Sequence, residues 1–143
     1  MLIMPTMREK DAFGEGYFGA SRGKRSHKGI DFSAPAGAAV YAICAGTLSY
    51  HGYPYADDLR FRYVQMTDSA GDCLRYFYVT RDDFEIGKSI AKGGYIGTVQ
   101  DIAARYDAGA DKMNNHFHLE IKRKGAHIDP TPWLAKRGLE CQM

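Results

Sequence analysis

Two short segments of the sequence combine histidines with a carboxylate at spacings that suit a metal site. His27 and Asp31 are separated by three residues in HKGID, and His116 and His118 flank one phenylalanine in HFHLE. Two imidazoles and one carboxylate are a known catalytic zinc set that leaves a fourth position for water. Zinc in such a site acidifies a bound water molecule and polarises a carbonyl group. The residue types therefore indicate metal-assisted hydrolysis if the two segments meet.

Strand periodicity predicts how each segment would present these groups. Side chains of an extended chain alternate between two faces. His27, Gly29 and Asp31 would share one face, and Gly29 would leave room for a metal and a substrate. The second segment would present His116, His118 and Glu120 on one face and its apolar residues to the core. Spacing alone leaves a second interpretation open, namely two unrelated histidine clusters at the surface.

The elements that would position these segments are short strands separated by glycine turns. Runs with strand character cover residues 40–44, 47–50, 60–66, 73–80, 95–99 and 116–122. The turn DSAGD joins two of them as a hairpin, and residues 101–113 suit a helical turn or a long loop. We expect an all-β fold, mainly an antiparallel sheet in an open barrel-like or sandwich-like arrangement, with short helical or loop insertions.

Size and charge limit the classes of function. The 143 residues fit one domain over residues 1–143, and a net charge of +2 predicts no broad nucleic-acid footprint. No apolar run is long enough to cross a membrane, and three cysteines without CxxC spacing argue against a cysteine zinc cage. A basic cluster beside His27 suits either a solvated loop or attraction to an anionic polymer; it comprises Arg22, Lys24, Arg25 and Lys28.

The residues around both histidine segments resemble the lysostaphin-type (LytM-like, duplicated hybrid motif) zinc metalloendopeptidases. SHKGIDFSAPAGAAVYAICAGTLSY is similar to the first motif of that family, and GYFGASRGKRSHKG is similar to the approach to it. GKSIAKGGYIGTV and HFHLEIKRKGAHIDPTPWL resemble two later motifs in the same order. The resemblance covers about residues 16–134, which is nearly the whole chain.

The resemblance implies one zinc ion held by His27, Asp31 and His118. It implies that His116 is a catalytic residue, which would orient or deprotonate the attacking water or stabilise the oxyanion. The implied substrate is the peptide part of peptidoglycan, and the site would lie in a groove over a mainly antiparallel sheet. The exact bond that is cut and the oligomeric state do not follow from the sequence.

The chain departs from the family pattern where a second catalytic histidine is usual. Tyr78 stands at that position in YFYV, and a phenol is a poor base at neutral pH but could donate a hydrogen bond to the oxyanion. His51 is an alternative for this role from a loop, although no motif supports it. Asn115 is a candidate substrate contact or a turn residue, and Glu120 would accept from an imidazole or pair with a basic side chain. Of the tyrosines, Tyr53, Tyr55 and Tyr63 would line the groove or pack in the core or at the rim.

The leading hypothesis is therefore a zinc endopeptidase that hydrolyses peptide cross-links or stems of peptidoglycan. No signal peptide is visible, which suggests a phage or prophage lytic protein that reaches the wall from the cytoplasm, or else a mature periplasmic or secreted enzyme. The first rival is a degenerate, inactive family member that acts as a peptidoglycan-binding or protein-binding scaffold. The second is a lipoyl-like β module, which predicts no tight cluster of the three ligands.

Overall fold

Strands make up most of the regular structure in the computed structural model, which describes residues 7–8, 11, 14, 16–22, 25–106 and 113–138. Every strand pairing among these residues is antiparallel. In chain order the elements are β1 (Ser21–Arg22), β2 (Arg25–Ser26), β3 (Ile30–Ser33), β4 (Ala39–Tyr41), β5 (Gly46–Gly52), β6 (Tyr63–Thr67), β7 (Cys73–Phe77), β8 (Val79–Thr80), β9 (Ser89–Ile90), β10 (Tyr95–Val99), α1 (Ala103–Tyr106), β11 (His116–Arg123), β12 (Ala126–Ile128) and α2 (Pro130–Ala135).

The strands form one large sheet, one small sheet and a ribbon. The large sheet has the order β12-β11-β7-β6-β5-β9, and β3 also pairs with β11. The small sheet has the order β4-β10-β8, and β1 pairs with β2. Within the described ranges no barrel closes, so the predicted all-β class with short helical insertions is confirmed. The assignment of residues 1–143 to one domain stays a prediction.

Strand β11 brings the two histidine segments together because it pairs with three other strands. One edge pairs with β7, while the other edge pairs first with β3 and then with β12. His118 is thereby the direct register partner of Asp31 on β3 and of Phe77 on β7. Adjacent register partners lie close enough for their side chains to touch. The meeting of the motifs thus follows from strand register.

The core lies on the opposite face of β11. Leu119 and Ile121 are fully buried there, and Phe117 is nearly so, as the alternation of β11 predicts. The core continues through both sheets and includes Ile30, Phe32, Val40, Leu48, Val64, Met66, Leu74, Tyr76, Ile96 and Leu134. Burial of these side chains holds β3, β7 and β11 in the order that the site requires.

The structure departs from the predicted strand over residues 73–80 at one residue. Tyr78 has a φ of 63°, and it separates β7 in the large sheet from β8 in the small one. A left-handed residue breaks the two-residue alternation of a strand. Phe77 and Tyr78 therefore both line the cleft above the sheet, although they are neighbours in sequence.

The predictions for the remaining segments differ mainly in their boundaries. Residues 101–113 contain the single-turn helix α1, and residues 107–112 lie outside the described ranges. In α2, Asp129 caps the helix by accepting from the Thr131 amide, and Trp133 donates to Asp72 over 2.9 Å. No helix in the described part of the chain is long and apolar enough to span a membrane.

Gly29 serves strand packing, which differs from the predicted role of making room for ligands. A β-carbon at this position would collide with the carbonyl oxygen of Leu119 and come within 3.0 Å of the His118 ring. The chain just before β3 can therefore approach β11 only if position 29 is a glycine.

We expect Gly29→Ala to lower the free energy of unfolding by about 3 kcal/mol, the upper range for overpacking. Denaturant unfolding monitored by circular dichroism measures this change. Lys28→Ala is the matched control, because Lys28 is exposed on the same segment and should change stability by less than about 0.5 kcal/mol. Equal stability of the two variants would contradict the packing role.

Candidate metal centre

Three ligand atoms from the two histidine segments lie around one point. His27 Nε2 is 3.0 Å from Asp31 Oδ1 and 2.9 Å from His118 Nδ1. Asp31 Oδ1 and His118 Nδ1 are 2.7 Å apart. Ligands around a tetrahedral zinc would be separated by about 3.3 Å, given metal–ligand distances of about 2.0–2.1 Å. The donor set fits zinc after a shift of a few tenths of an ångström. Such convergence contradicts both the separate-cluster interpretation and the lipoyl-like rival.

Each of the three residues is held by its local backbone. Asp31 lies on β3, and its amide donates to the Gly16 carbonyl over 2.8 Å. His27 precedes β3 and is outside any long strand, so the predicted extended face from His27 to Asp31 is only partly formed. Instead the His27 amide donates to Ala20 over 2.8 Å, and this turn bends its imidazole toward Asp31.

The outer nitrogens of both ligand imidazoles have acceptors, which orients the inner nitrogens. His27 Nδ1 lies 2.9 Å from the Tyr17 carbonyl oxygen, and His118 Nε2 lies 2.9 Å from Glu120 Oε2. A carbonyl or carboxylate can only accept, so these nitrogens carry protons, and His27 Nε2 and His118 Nδ1 are directed at the shared point. Glu120 also accepts from His127 Nε2 over 2.7 Å, so its partners are imidazoles and not a lysine or arginine.

The second oxygen of Asp31 contacts arginines. Arg8 Nη1 donates to Asp31 Oδ2 over 2.7 Å, and Arg22 Nη2 donates to it over 3.3 Å. Arg8 is itself buried and also donates to Asp11. No motif points to Arg8, because it lies 23 residues from Asp31 in the sequence. Of the predicted basic cluster, Arg22 contacts Asp31 and Lys28 lines the cleft, while Lys24 lies outside the described residues.

The charges around the shared point favour a cation. Burial opposes ionisation of Asp31, yet hydrogen bonds from His118 and His27 hold the pKa of this carboxyl well below its usual range. Burial likewise opposes protonation of His118, but hydrogen bonds with Asp31 and Glu120 outweigh it and raise the pKa of His118 to about 9. Two carboxylates therefore bind one imidazolium here, and a divalent cation would replace its proton.

His116 is positioned beside the shared point without joining it. Its Nδ1 lies 2.8 Å from the Asn114 carbonyl oxygen, and its Nε2 lies 3.6 Å from Asp31 Oδ2. The first contact assigns the proton to Nδ1 and leaves the Nε2 lone pair toward the cleft. Burial lowers the pKa of His116 despite the opposing charge of Asp31, so the ring is neutral at pH 7.

Tyr78 forms the opposite wall of the site. Its ring meets the His116 ring edge-on at 5.5 Å and lies 6.5 Å from the His118 ring. Its hydroxyl lies 3.2 Å from the hydroxyl of Tyr55. Burial is the main cause that raises the pKa of Tyr78, so it is a neutral hydrogen-bond donor and not a base.

The other predicted site residues lie elsewhere. The Asn115 amide donates to Ala34 and Gln100 and accepts from Ala103, which favours the turn role; a substrate contact stays a prediction. His51 is opposite Val64 in register, on the core face, and its ring stacks on Phe84, so it lies away from the candidate metal centre. His127 is half-buried against Glu120 because β12 pairs with β11.

The site opens into a cleft of about 650 Å³ whose walls are largely charged or aromatic. Tyr55 lines this cleft with Tyr78 and Tyr106, as one of the predicted groove tyrosines. Tyr63 is buried, as the core alternative predicted, and its ring centre lies 4.9 Å from that of Phe77.

Comparisons with known proteins agree with this geometry. The sequence model of the family described as "Peptidase family M23" matches residues 25–130 of this chain. An uncharacterized protein of Mycobacterium tuberculosis is 30% identical over 140 residues, and the chain spans only 30% of its length. That alignment covers 95% of this chain. Leukocyte cell-derived chemotaxin-2 of Mus musculus is 27% identical over 128 residues, covering 90% of this chain and 79% of that protein.

Several solved structures share the fold. LytU has a TM-score of 0.68 at 18% identity, covering 95% of this chain and 88% of that chain. The catalytic domain of lysostaphin, an antimicrobial peptidase from Staphylococcus simulans, has a TM-score of 0.63 at 20% identity, with coverages of 85% and 90%. The catalytic domain of the prophage-encoded M23 protein EnpA of Enterococcus faecalis, as a mutant, has a TM-score of 0.62 at 19% identity, with coverages of 91% and 92%. At these identities the likeness establishes the fold alone.

We expect Glu120→Gln to lower the pKa of His118 from about 9 toward its usual value. The substitution removes one of the two anions that stabilise the imidazolium, so the proton leaves at lower pH. Nitrogen-15 NMR titration of the imidazoles in the metal-free protein measures this pKa. Lys122→Gln, two residues along β11, is the control and should leave it in place; an unchanged pKa in Glu120→Gln would show that Glu120 does not stabilise the charge.

Proposed function

We propose that this chain, which belongs to peptidase family M23, is a zinc-dependent endopeptidase that hydrolyses peptide bonds of peptidoglycan. The resemblance identified in the sequence is thereby confirmed at the level of the family. The single observation that carries the proposal is the triangle of His27 Nε2, Asp31 Oδ1 and His118 Nδ1 at the base of a cleft. This set would hold one zinc ion.

A bound zinc ion would supply Lewis-acid polarisation of the scissile carbonyl and would acidify a water molecule. The residues of the chain would supply proton transfer and orientation. His116 is neutral and its Nε2 is unprotonated, so it can accept the proton of the attacking water. It can later return that proton to the leaving amine.

Tyr78 would act on the opposite side of the scissile bond. Its hydroxyl is neutral and lies on the cleft wall facing His116, so it can donate to the oxygen that gains negative charge in the tetrahedral intermediate. This role replaces the second histidine of the family pattern by a donor of different chemistry. The Asn115 amide is engaged by three backbone groups, which supports the turn role, and a substrate contact through Asn115 stays a prediction.

The assignment to peptidoglycan peptides rests on the sequence motifs and on the named relatives. Lysostaphin is described as an antimicrobial peptidase, and EnpA is described as prophage-encoded. These descriptions support a wall-directed peptidase and a phage or prophage setting as proposals for this chain. The cationic Arg22 and Lys28 at the cleft would attract an anionic polymer.

The second candidate function is a scaffold that binds zinc but does not hydrolyse peptides. Two observations favour it: Tyr78 stands in place of a catalytic histidine, and one relative is named as a chemotaxin. The name of this relative does not refer to peptidase activity. The intact ligand triangle is compatible with both candidates, so hydrolysis is the measurement that separates them.

We expect the purified protein to release peptide-cleaved fragments from peptidoglycan, with loss of release on adding a zinc chelator. Mass spectrometry of the products names the bond. His118→Ala should lose both zinc and hydrolysis, because one of three ligands is gone. His116→Ala should keep stoichiometric zinc and lose at least about 100-fold in rate, as expected for removal of a general base.

The pattern of outcomes separates the candidates. Stoichiometric zinc without hydrolysis by the unaltered protein would favour the scaffold. A His116→Ala variant with unaltered rate would refute the proton-transfer role of His116 while leaving the zinc site intact.

We expect Tyr78→Phe to lower kcat by about 100-fold with little change in KM, because the substitution removes only the hydrogen bond from the hydroxyl to the oxyanion. Steady-state kinetics on a peptide released from peptidoglycan measures both constants. Tyr50→Phe is the control, since Tyr50 is 52% exposed on β5 and does not line the cleft. Equal kcat for Tyr78→Phe and the unaltered enzyme would exclude a role for the hydroxyl.

A further inference from the structure

A series of three tyrosine hydroxyls leads away from the candidate metal centre. The Tyr78 and Tyr55 hydroxyl oxygens are 3.2 Å apart, and the Tyr55 and Tyr106 hydroxyl oxygens are 2.5 Å apart. The rings of Tyr55 and Tyr78 are nearly parallel, with an interplanar angle of 15°. Tyr55 lies in a loop, Tyr78 lies between β7 and β8, and Tyr106 ends helix α1, so the series joins three separate segments.

The backbone around Tyr78 is built to direct its side chain at this series. Its left-handed φ of 63° costs energy in a non-glycine residue. Its amide donates to the Arg62 carbonyl over 2.8 Å, and its carbonyl accepts from the Gln100 amide over 2.8 Å. The Gln100 side chain in turn donates to Arg60 and accepts from the Arg62 amide. Neighbouring segments therefore hold the strained conformation in place.

Arg105 lies at the far end of the series, against the rings of Tyr55 and Tyr106. Its guanidinium donates to Asp58 over 2.9 Å and lies 3.9 Å from the centre of the Tyr55 ring and 5.4 Å from the centre of the Tyr106 ring. A cation in this position favours hydroxyl dipoles whose oxygens face it, and hence a Tyr106 proton directed at Tyr55. The Tyr55 proton is then available for the oxygen of Tyr78.

We propose that Arg105, Tyr106 and Tyr55 are positioning residues that form a directed hydrogen-bond chain, which leaves the Tyr78 proton to point into the cleft at the substrate. The chain has a permanent cation at one end and the reacting oxygen at the other. Each donor polarises the next, so the Tyr78 hydroxyl donates more strongly than an isolated phenol. The chain also removes the alternative in which Tyr78 donates to Tyr55.

The catalytic part of this inference rests on the proposed function, but the direction of the hydrogen-bond chain does not. A double-mutant cycle tests the catalytic part. Tyr55→Phe should lower kcat about tenfold in the unaltered background and change it less than twofold in a Tyr78→Phe background, because the effect passes through the Tyr78 hydroxyl. If the two substitutions lowered kcat by independent factors that multiply in the double variant, or if Tyr55→Phe changed KM alone, the coupling would be refuted. Tyr50→Phe should have no effect in either background.

Tyrosine Cζ carbon-13 NMR of the full chain tests the hydrogen-bond chain without any requirement for hydrolysis. Tyr106→Phe removes a hydroxyl two members away from Tyr78, yet it should shift the Tyr78 resonance, since Tyr55 then loses its donor and reorients. Tyr55→Phe should shift the same resonance more, and Tyr50→Phe should leave it in place. An unmoved Tyr78 resonance in both Tyr55→Phe and Tyr106→Phe would overturn the chain. A shifted Tyr78 resonance in a protein without peptidase activity would support the hydrogen-bond chain and refute the proposed function instead.

Discussion

The buried carboxylate of Asp31 is the interaction on which the site and its surroundings depend. A carboxylate removed from water costs several kcal/mol unless charged or polar partners compensate for it. Its partners here are two imidazoles on one oxygen and the Arg8 guanidinium on the other. These groups belong to segments distant in sequence, so satisfying one charge fixes the mutual positions of the N-terminal segment, β3 and β11.

Charges of alternating sign extend from Asp31 in both directions. On one side His118 lies between Asp31 and Glu120, and Glu120 also accepts from His127. On the other side Arg8 lies between Asp31 and Asp11. The two carboxylates around His118 create a place where positive charge is favoured, and the hydrogen bonds to the outer nitrogens keep the inner nitrogens available. A metal-binding geometry is thus maintained by groups that need not touch the metal.

Tyr78 shows how a strained backbone can alter chemistry while the fold is kept. The left-handed residue between β7 and β8 turns two successive side chains, Phe77 and Tyr78, into the same cleft. The phenol cannot serve as a base at neutral pH, so the chemistry that it can offer at this position is hydrogen-bond donation. Its hydroxyl lies in series with those of Tyr55 and Tyr106, and the Arg105 guanidinium lies beside the last ring. Strain of this kind is usual at functional sites and is stabilised by the surrounding structure.

The sequence by itself determined the fold class and the family, and it predicted which residues would meet, because strand alternation and the HxxxD and HxH motifs are local properties of the chain. It also placed His118 and Glu120 on one face of β11, where they hydrogen-bond. Only the tertiary structure decided which partners each group acquired. Strand register set Asp31 opposite His118 and His51 on the far face, and long-range packing brought Arg8 and Tyr106 to the site. Such contacts depend on segments that meet only after folding, so no local pattern encodes them.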